Sequence, residues 1–465
     1  MSLYHTPTSP LDHLIPKKEE SECLPTLPSD AKRLGILGSG QLGQMMAMAA
    51  KKMGFQVIVF DAVAEGPAVP YADYFIHASF DDQKALENFA SRVDLITLEF
   101  ENIPATTLNK LAALRPLYPA PAVVHTCQDR VLEKEFLKTH GFPVAPFVVV
   151  TSAKELAEGI SELGNRPCIL KTTTLGYDGK GQVTLHPGDN RLLSKVAYAD
   201  EVQGVDGAQK LSVQQLLDAS STDATKQFAA EVEFGKQSNL DDAWKSLHTS
   251  RAVLEKRISF CAEASVITAR STTGEVRSFP IQENIHRHGI LDFSIAPARF
   301  EKKVLLEAER IANAIAKTLD VVGLITVEFF VLPNGELIVN ELAPRPHNSG
   351  HHTIESSKAS QFEQMIRAIT GLPLGSTELE QNAVMVNLLG DLWNNGEPNW
   401  KPLLENPAVT LHLYGKKVAK PGRKMGHFTV MGKNQEEVIA LATQLREKIN
   451  HKRTQKNTKE EERKN

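Results

Sequence analysis

Apolar positions along the chain switch repeatedly between a period of two and a period near 3.6. Leu34-Gly35-Ile36-Leu37 is a short apolar burst that runs into Gly38-Ser39-Gly40-Gln41-Leu42-Gly43. Helical spacing follows over 44–53, and a second burst covers 55–61. Strand, glycine turn, helix, strand is a βαβ unit. Residues 94–99 read as another strand with acids at its carboxyl end, and three prolines between Arg115 and Ala122 close this first region. The spacing then predicts one helix over 126–141, with Thr126 and Asp129 as a capping box and Gly141 past its end. A second amphipathic helix covers 151–163, and 167–171 is a buried-looking strand ending in Lys171.

From about 187 to 245 the chain is polar and weakly periodic, which predicts an insertion or an extended lid surface. Strands resume at 252–258 and 263–270. Val304, Leu305, Ala308, Ile311, Ala312 and Ile315 mark one face of a helix over 301–319. Two apolar runs, 324–332 and 336–341, flank Pro333-Asn334-Gly335 and predict a hairpin. A helix over 361–370 ends at Gly371-Leu372-Pro373, and strands at 383–389 and 409–414 predict a small β-rich region. The fold class is therefore α/β and α+β, in several domains, with a doubly wound N-terminal domain. Residues 1–30, with five prolines, read as a disordered leader, and 451–465 read as a solvated charged tail.

Composition narrows the function classes. The 52 Lys and Arg nearly balance 56 Asp and Glu, for a net charge of −4, which argues against a general nucleic-acid binder. No apolar run reaches the roughly 18–20 residues of a membrane helix, and the leader lacks the apolar core of a signal peptide. Cys23, Cys127, Cys168 and Cys261 form no C-x-x-C pair, which fits a reducing cytoplasm.

Several constellations carry chemistry. Glycine amides in Gly38–Gly43 suit a phosphate at a helix N-terminus. Asp61 stands where a dinucleotide site keeps its ribose-binding acid. On these residues alone an NAD-dependent oxidoreductase, another phosphate ligand and a ligand-free turn all stay open. Lys171 precedes Gly176-Tyr177-Asp178-Gly179-Lys180-Gly181-Gln182, which reads as a loop folding over polyphosphate or as a plain turn at Asp178-Gly179. If Asn334 and Gly335 are the two turn residues, Glu328 and Glu341 stand directly opposed. Their Cβ atoms would lie roughly 4.5–5.5 Å apart, which is destabilising for like charges. A bridging divalent cation relieves the repulsion, and hard oxygen ligands beside phosphate favour Mg²⁺. A longer turn would shift this register, and two solvated acids on an edge hairpin are the bland reading. Arg345-Pro346-His347-Asn348-Ser349-Gly350-His351-His352 suits a small anion. Zinc is the weaker reading there, for want of a third ligand at convincing spacing. Lys416 and Arg423 share a cationic segment that is either a phosphate grip or ordinary surface.

Together these stretches, with Asn340-Glu341-Leu342-Ala343-Pro344 and Gly422-Arg423-Lys424-Met425-Gly426-His427, resemble the ATP-grasp superfamily. Within it they resemble the 5-(carboxyamino)imidazole ribonucleotide synthases, over about residues 32–449. The resemblance implies a pre-ATP-grasp domain over 31–125 and an ATP-grasp domain over 126–375, with a lid about 145–255 carrying an insertion about 187–245. It implies a small β-rich C-terminal domain over 376–450. The implied reaction is phosphorylation of bicarbonate by ATP to carboxyphosphate, which carboxylates the exocyclic amine of 5-aminoimidazole ribonucleotide in purine biosynthesis. ATP and Mg²⁺ are the implied cofactors, and a cytoplasmic homodimer that hands its product to a mutase is the implied assembly, with no nucleic-acid or membrane partner.

The same resemblance assigns residues. Arg130 and Lys171 contact ATP phosphates under the loop Gly176, Tyr177, Asp178, Gly179, Lys180, Gly181 and Gln182. Glu255, Lys256, Arg257 and Ile258 form the hinge that holds adenine, Glu263 takes the ribose, and His286 sits by the nucleotide. Glu328 and Glu341, with Asn340 beside them, hold Mg²⁺. Arg345 and His347 orient bicarbonate or carboxyphosphate, and Lys180 completes the catalytic set. The ribonucleotide meets Gly40, Gln41, Leu42, Glu101, Tyr177, Asp178, Lys180, Lys416 and Arg423, so Asp61 needs no NAD. A related ligase activating formate or another carboxylate, and an NAD-dependent oxidoreductase, are the alternatives.

Overall fold

The structure, a computed structural model, describes residues 32–174, 181–187, 230–234 and 237–450. The predicted leader and tail, most of the insertion, and Gly176, Tyr177, Asp178, Gly179 and Lys180 lie outside the described residues.

The first sheet has four parallel strands: β1 (Arg33–Leu37), β2 (Gln56–Asp61), β3 (Tyr74–His77) and β4 (Leu95–Leu98). Their order is β3-β2-β1-β4. Alternate residues serve opposite faces. Leu34, Ile36, Val57 and Val59 pack on Met45, Met46 and Ala50 of α1 (Gln41–Lys52). Leu37, Ile58, Phe60 and Leu98 pack on Leu86 and Phe89 of α2 (Gln83–Arg92). Burial on both faces is why these strands read as continuous apolar runs. Helix α1 starts three residues before the predicted 44, because Glu99 caps it from the end of β4. The Gly40 and Gly43 amides donate to the Glu99 carboxylate at 2.6 and 2.8 Å.

The single helix expected over 126–141 is two helices, α4 (Pro121–Gln128) and α5 (Arg130–Thr139), after α3 (Ala105–Leu114). Asp129 is extended, and its carboxylate accepts from the Val131 and Leu132 amides at 2.8 and 3.2 Å. It is thus the N-cap of α5. Thr126 is no cap; its hydroxyl donates back to the Ala122 carbonyl.

The second sheet contains β5 (Phe147–Val150), β6 (Cys168–Thr172), β7 (Gln182–Pro187), β8 (Ala230–Phe234) and β9 (Ala252–Lys256), in the order β5-β9-β6-β7-β8. Helix α6 (Ala153–Glu162) and the helix Gln237–Ser246 bury Leu156, Ile160, Leu240 and Ala243 against it. The polar 187–245 stretch thus contains a strand and a helix. Both escape the pattern because the strand is five residues long and carries charge, and the helix buries a narrow stripe.

The third sheet has nine strands. They are β10 (Ala262–Arg270), β11 (Val276–Ser278), β12 (Gln282–Arg287), β13 (Ile290–Ala296), β14 (Gly323–Val331), β15 (Leu337–Ala343), β16 (Asn382–Leu389), β17 (Val409–Leu413) and β18 (Lys424–Gly432). The order is β15-β14-β10-β12-β13-β16-β18-β17, with β11 beside β10. Pairing of β13 with β16 makes the C-terminal strands a continuation of this sheet. The helices Lys302–Thr318 and Gln361–Thr370 cover opposite faces, and the second reaches α1.

The β14–β15 turn differs from the expected two-residue turn. Leu332 N–H donates to the Glu336 carbonyl and Gly335 N–H to the Leu332 carbonyl, both at 2.8 Å, so Pro333, Asn334 and Gly335 form a three-residue loop. Gly335 takes φ +82°, the left-handed position such loops require. The register beyond it, Phe329↔Val339, is shifted by one from the prediction, and Val327↔Leu342 restores it. Between these pairs one residue, Glu328, faces two, Asn340 and Glu341, so β15 carries a bulge. Among the described residues no helix is long and apolar enough to cross a membrane.

Candidate active site

The bulge sets the two predicted metal acids on facing stretches of backbone, and each has a partner from another element. Glu328 Oε1 lies 3.0 Å from His347 Nε2. Burial would raise the Glu328 carboxyl, but His347, with His286 and Lys424, holds it down at about 2. His347 Nδ1 accepts from the Ser349 amide, which leaves Nε2 to carry the proton toward Glu328. The His347 backbone is clamped at both ends: its N–H donates to Gln361 Oε1 at 2.8 Å, and its carbonyl accepts from Gln361 Nε2 at 2.7 Å. Glu341 Oε2 meets the Arg130 guanidinium at 3.4 Å. Arg130 opens α5, and its amide donates to Thr173 just past β6. Among the described residues no cluster of three His, Cys, Asp or Glu could hold a metal. Two carboxylates still fit Mg²⁺, which takes its other oxygens from water and substrate phosphate.

Lys171 lies one residue before the end of β6, beside a second acid. Its Nζ is 3.1 Å from Glu255 Oε2, and Lys134 Nζ is 3.3 Å from the same oxygen. Burial would raise the Glu255 carboxyl, but Lys134, Lys171 and Arg130 pull it down to about 2. The Glu255 side chain therefore turns into an ion cluster. The Lys256 and Arg257 amides are bonded to the Pro146 and Pro167 carbonyls, so neither of these N–H groups is left for a base. Ile258 follows, half-buried. Glu263 Oε2 pairs with His286 Nδ1 at 2.8 Å. Burial alone would lower the His286 pKa, but Glu263 and Glu328 lift it to about 9. Gly181 accepts from the Thr172 amide, and Gln182 lies opposite Lys171.

At the carboxyl end of the first sheet, Glu99 already holds the Gly40 and Gly43 amides. An incoming anion is left the amides of Gln41 and Leu42, which no intrahelical carbonyl can accept. Asp61 Oδ2 accepts from the Ser39 amide at 2.7 Å and its hydroxyl at 2.5 Å, so this acid serves the turn and not a cofactor ribose. Glu101 and Arg345 form a two-pronged ion pair, with one contact at 3.1 Å, linking the first sheet to the loop after β15. Lys416 donates to the Lys424 carbonyl, and Arg423 donates to Val418 at the surface.

The chain matches the ribonucleotide synthetase pre-ATP-grasp domain over residues 31–128 and the ATP-grasp domain over 135–203 and 231–362. Residues 383–441 match the phosphoribosylaminoimidazole carboxylase C-terminal domain. It is 40% identical over 410 residues to the N5-carboxyaminoimidazole ribonucleotide synthase of Bacillus subtilis (strain 168), covering 88% of this chain and 94% of that protein. The chain belongs to the N5-carboxyaminoimidazole ribonucleotide synthase family. Solved structures of N5-carboxyaminoimidazole synthetases and synthases also match. The Staphylococcus aureus synthetase complexed with ADP superposes with a TM-score of 0.72 at 37% identity, over 89% of this chain and 96% of that one. The Aspergillus clavatus synthase with ADP and 5-aminoimidazole ribonucleotide gives 0.73 at 27% identity, over 91% and 100%.

Three members of the site in this synthase family fold escape sequence reasoning. Lys134 has a weak signal, four residues after Arg130 and so on the same helix face. Glu99 was visible only as an acid ending a strand. Gln361 gives no signal, because a polar residue opening a helix is ordinary.

Proposed function

We propose that this chain is an ATP-dependent carbon–nitrogen ligase that carboxylates 5-aminoimidazole ribonucleotide. A bicarbonate oxygen attacks the γ-phosphorus of ATP, and the bond to ADP breaks. The exocyclic amine then attacks the carboxyphosphate carbon; a C–N bond forms, the C–O bond to phosphate breaks, and the amine gives up a proton. The products are 5-(carboxyamino)imidazole ribonucleotide, ADP and phosphate.

In this reading Arg130 and Lys171 bind the phosphates beneath the 176–182 loop. Mg²⁺, held by Glu328 and Glu341, neutralises phosphate charge when bound. Arg345 and His347 orient the small anion. Lys180 works from the covering loop. The ribonucleotide rests on Gln41, Leu42, Glu101, Lys416 and Arg423. Catalysis of this kind is mostly positioning and electrostatics, which suits a histidine clamped on both sides of its backbone.

The observation that carries the reading is the bulge. It sets Glu328 against Asn340 and Glu341, with Glu341 paired to Arg130 and Glu328 to His347, the side chains this reading gives to phosphate and to the small anion. A cytoplasmic homodimer that passes its product to a mutase is supported by the family resemblance.

The test is phosphate release from ATP with Mg²⁺, bicarbonate and 5-aminoimidazole ribonucleotide omitted in turn. Full turnover should need all three. No stimulation by the ribonucleotide in folded protein overturns the substrate, and formate replacing bicarbonate reassigns the chain to a related ligase.

A further inference from the structure

The Lys134–Glu255–Lys171 cluster joins two separately packed parts of the molecule. Lys134 sits on α5, whose Phe136 and Leu137 belong to the core under β14 and β15. Glu255 and Lys171 lie on adjacent strands of the second sheet, whose Leu170 and Leu254 form their own core. The Lys134 side chain is only 1% exposed and that of Glu255 only 4%. Both ammonium groups approach the same oxygen, Oε2. Glu255 Oε1 and Lys134 Nζ complete no further hydrogen bond. Two buried cations thus share one buried anion, with Arg130 close enough to lower the Glu255 pKa further.

We infer that Lys134 is a positioning residue: it keeps Glu255 neutralised, so that Lys171 is released to nucleotide phosphate. The inference rests on the reading of Lys171 as a phosphate ligand. With one lysine, moving Lys171 toward phosphate would strand a buried carboxylate, a large penalty. With two, Glu255 keeps a partner throughout, and the surplus positive charge faces the nucleotide. Lys134 needs no contact with the nucleotide for this; it acts through Glu255.

The test is ADP affinity by titration calorimetry in the presence of Mg²⁺, on the full chain. In K134M, Lys171 becomes the one lysine left to pair with Glu255, and the ADP Kd should rise at least about tenfold. Affinity for 5-aminoimidazole ribonucleotide should stay within about twofold. In an E255Q background no carboxylate is left behind when Lys171 moves to phosphate, so adding K134M should change the ADP Kd by less than about threefold. That double variant keeps one buried cation, Lys171, with no buried carboxylate beside it, and its comparison with E255Q keeps the test open if K134M alone fails to fold. An equal loss of ADP affinity in both backgrounds, or none in K134M, overturns the inference. K171M separates the two readings: if it leaves ADP affinity unchanged, the Lys171 reading falls as well, whereas weakened binding in K171M with normal binding in K134M refutes only the role of Lys134.

Discussion

Glu133 offers the sharpest test of the electrostatics. It sits on α5, 2% exposed, with Oε2 accepting the Leu342 amide at 2.8 Å and Oε1 meeting no partner. Burial pushes its carboxyl up to about 8, against the pull of Lys134 and Arg130 and with help from Glu341. The folded value lies above the unfolded 4.5, so the stability Glu133 confers is complete below that pH and is lost as pH rises through 8. The gap is about 3.5 units at about 1.4 kcal/mol each, so the ceiling is about 5 kcal/mol at alkaline pH. Relaxation around a buried charge should reduce this to about 2–4 kcal/mol. E133Q keeps an acceptor for Leu342 and can never ionise. At pH 5.5 it should match the natural protein or cost up to about 1 kcal/mol for its misplaced NH₂ group. At pH 9 it should be the more stable of the two by about 2–4 kcal/mol. Urea midpoints at pH 5.5, 7 and 9, with the m-value checked for constancy, measure this. A difference that does not change with pH, or an E133Q protein that is weaker at pH 9, would refute the reasoning.

Two further outcomes are expected. E101Q breaks the two-pronged pair with Arg345, whose side chain is 19% exposed, and leaves the guanidinium without its carboxylate. Stability should fall by about 2–4 kcal/mol, short of the full penalty for a fully buried pair, and a thermal midpoint equal to the natural protein's would show the pair to be idle. His286 has a folded pKa of about 9 against 6.5 unfolded, so the stability from its pair with Glu263 is complete below pH 6.5 and lost as pH rises through 9. The thermal-midpoint gap between the natural protein and H286N should therefore shrink between pH 8 and 10; a gap that stays constant contradicts the assignment.

Much of the fold was legible because periodicity reports burial. The helix at 361–370 lies at its predicted bounds, ended by Gly371 at φ +72°, and Gly141 follows α5 as expected. The strands at 34–37, 55–61 and 263–270 lie within a residue of prediction. Failures came where a cap or a turn residue, distant in one case and local in two, decided the boundary. Glu99 started α1 early by capping it. Asp129 cut one helix into two by spending its carboxylate on the next turn. The β14–β15 loop took three residues because Gly335 could adopt the left-handed conformation.

The sequence by itself determined the alternation of strands and helices, the glycine turns, and the signature stretches that place the chain in its family. These are local properties, set by side-chain size, polarity and backbone freedom within a few residues. Only the tertiary structure decided who pairs with whom. Lys171 and Glu255 are 84 residues apart, and Glu101 and Arg345 are 244 apart. No periodicity spans such distances. Sheet order and the packing of α5 bring these charges together, and the bulge in β15 sets Glu328 against both Asn340 and Glu341, where a regular ladder would have opposed it to one residue alone.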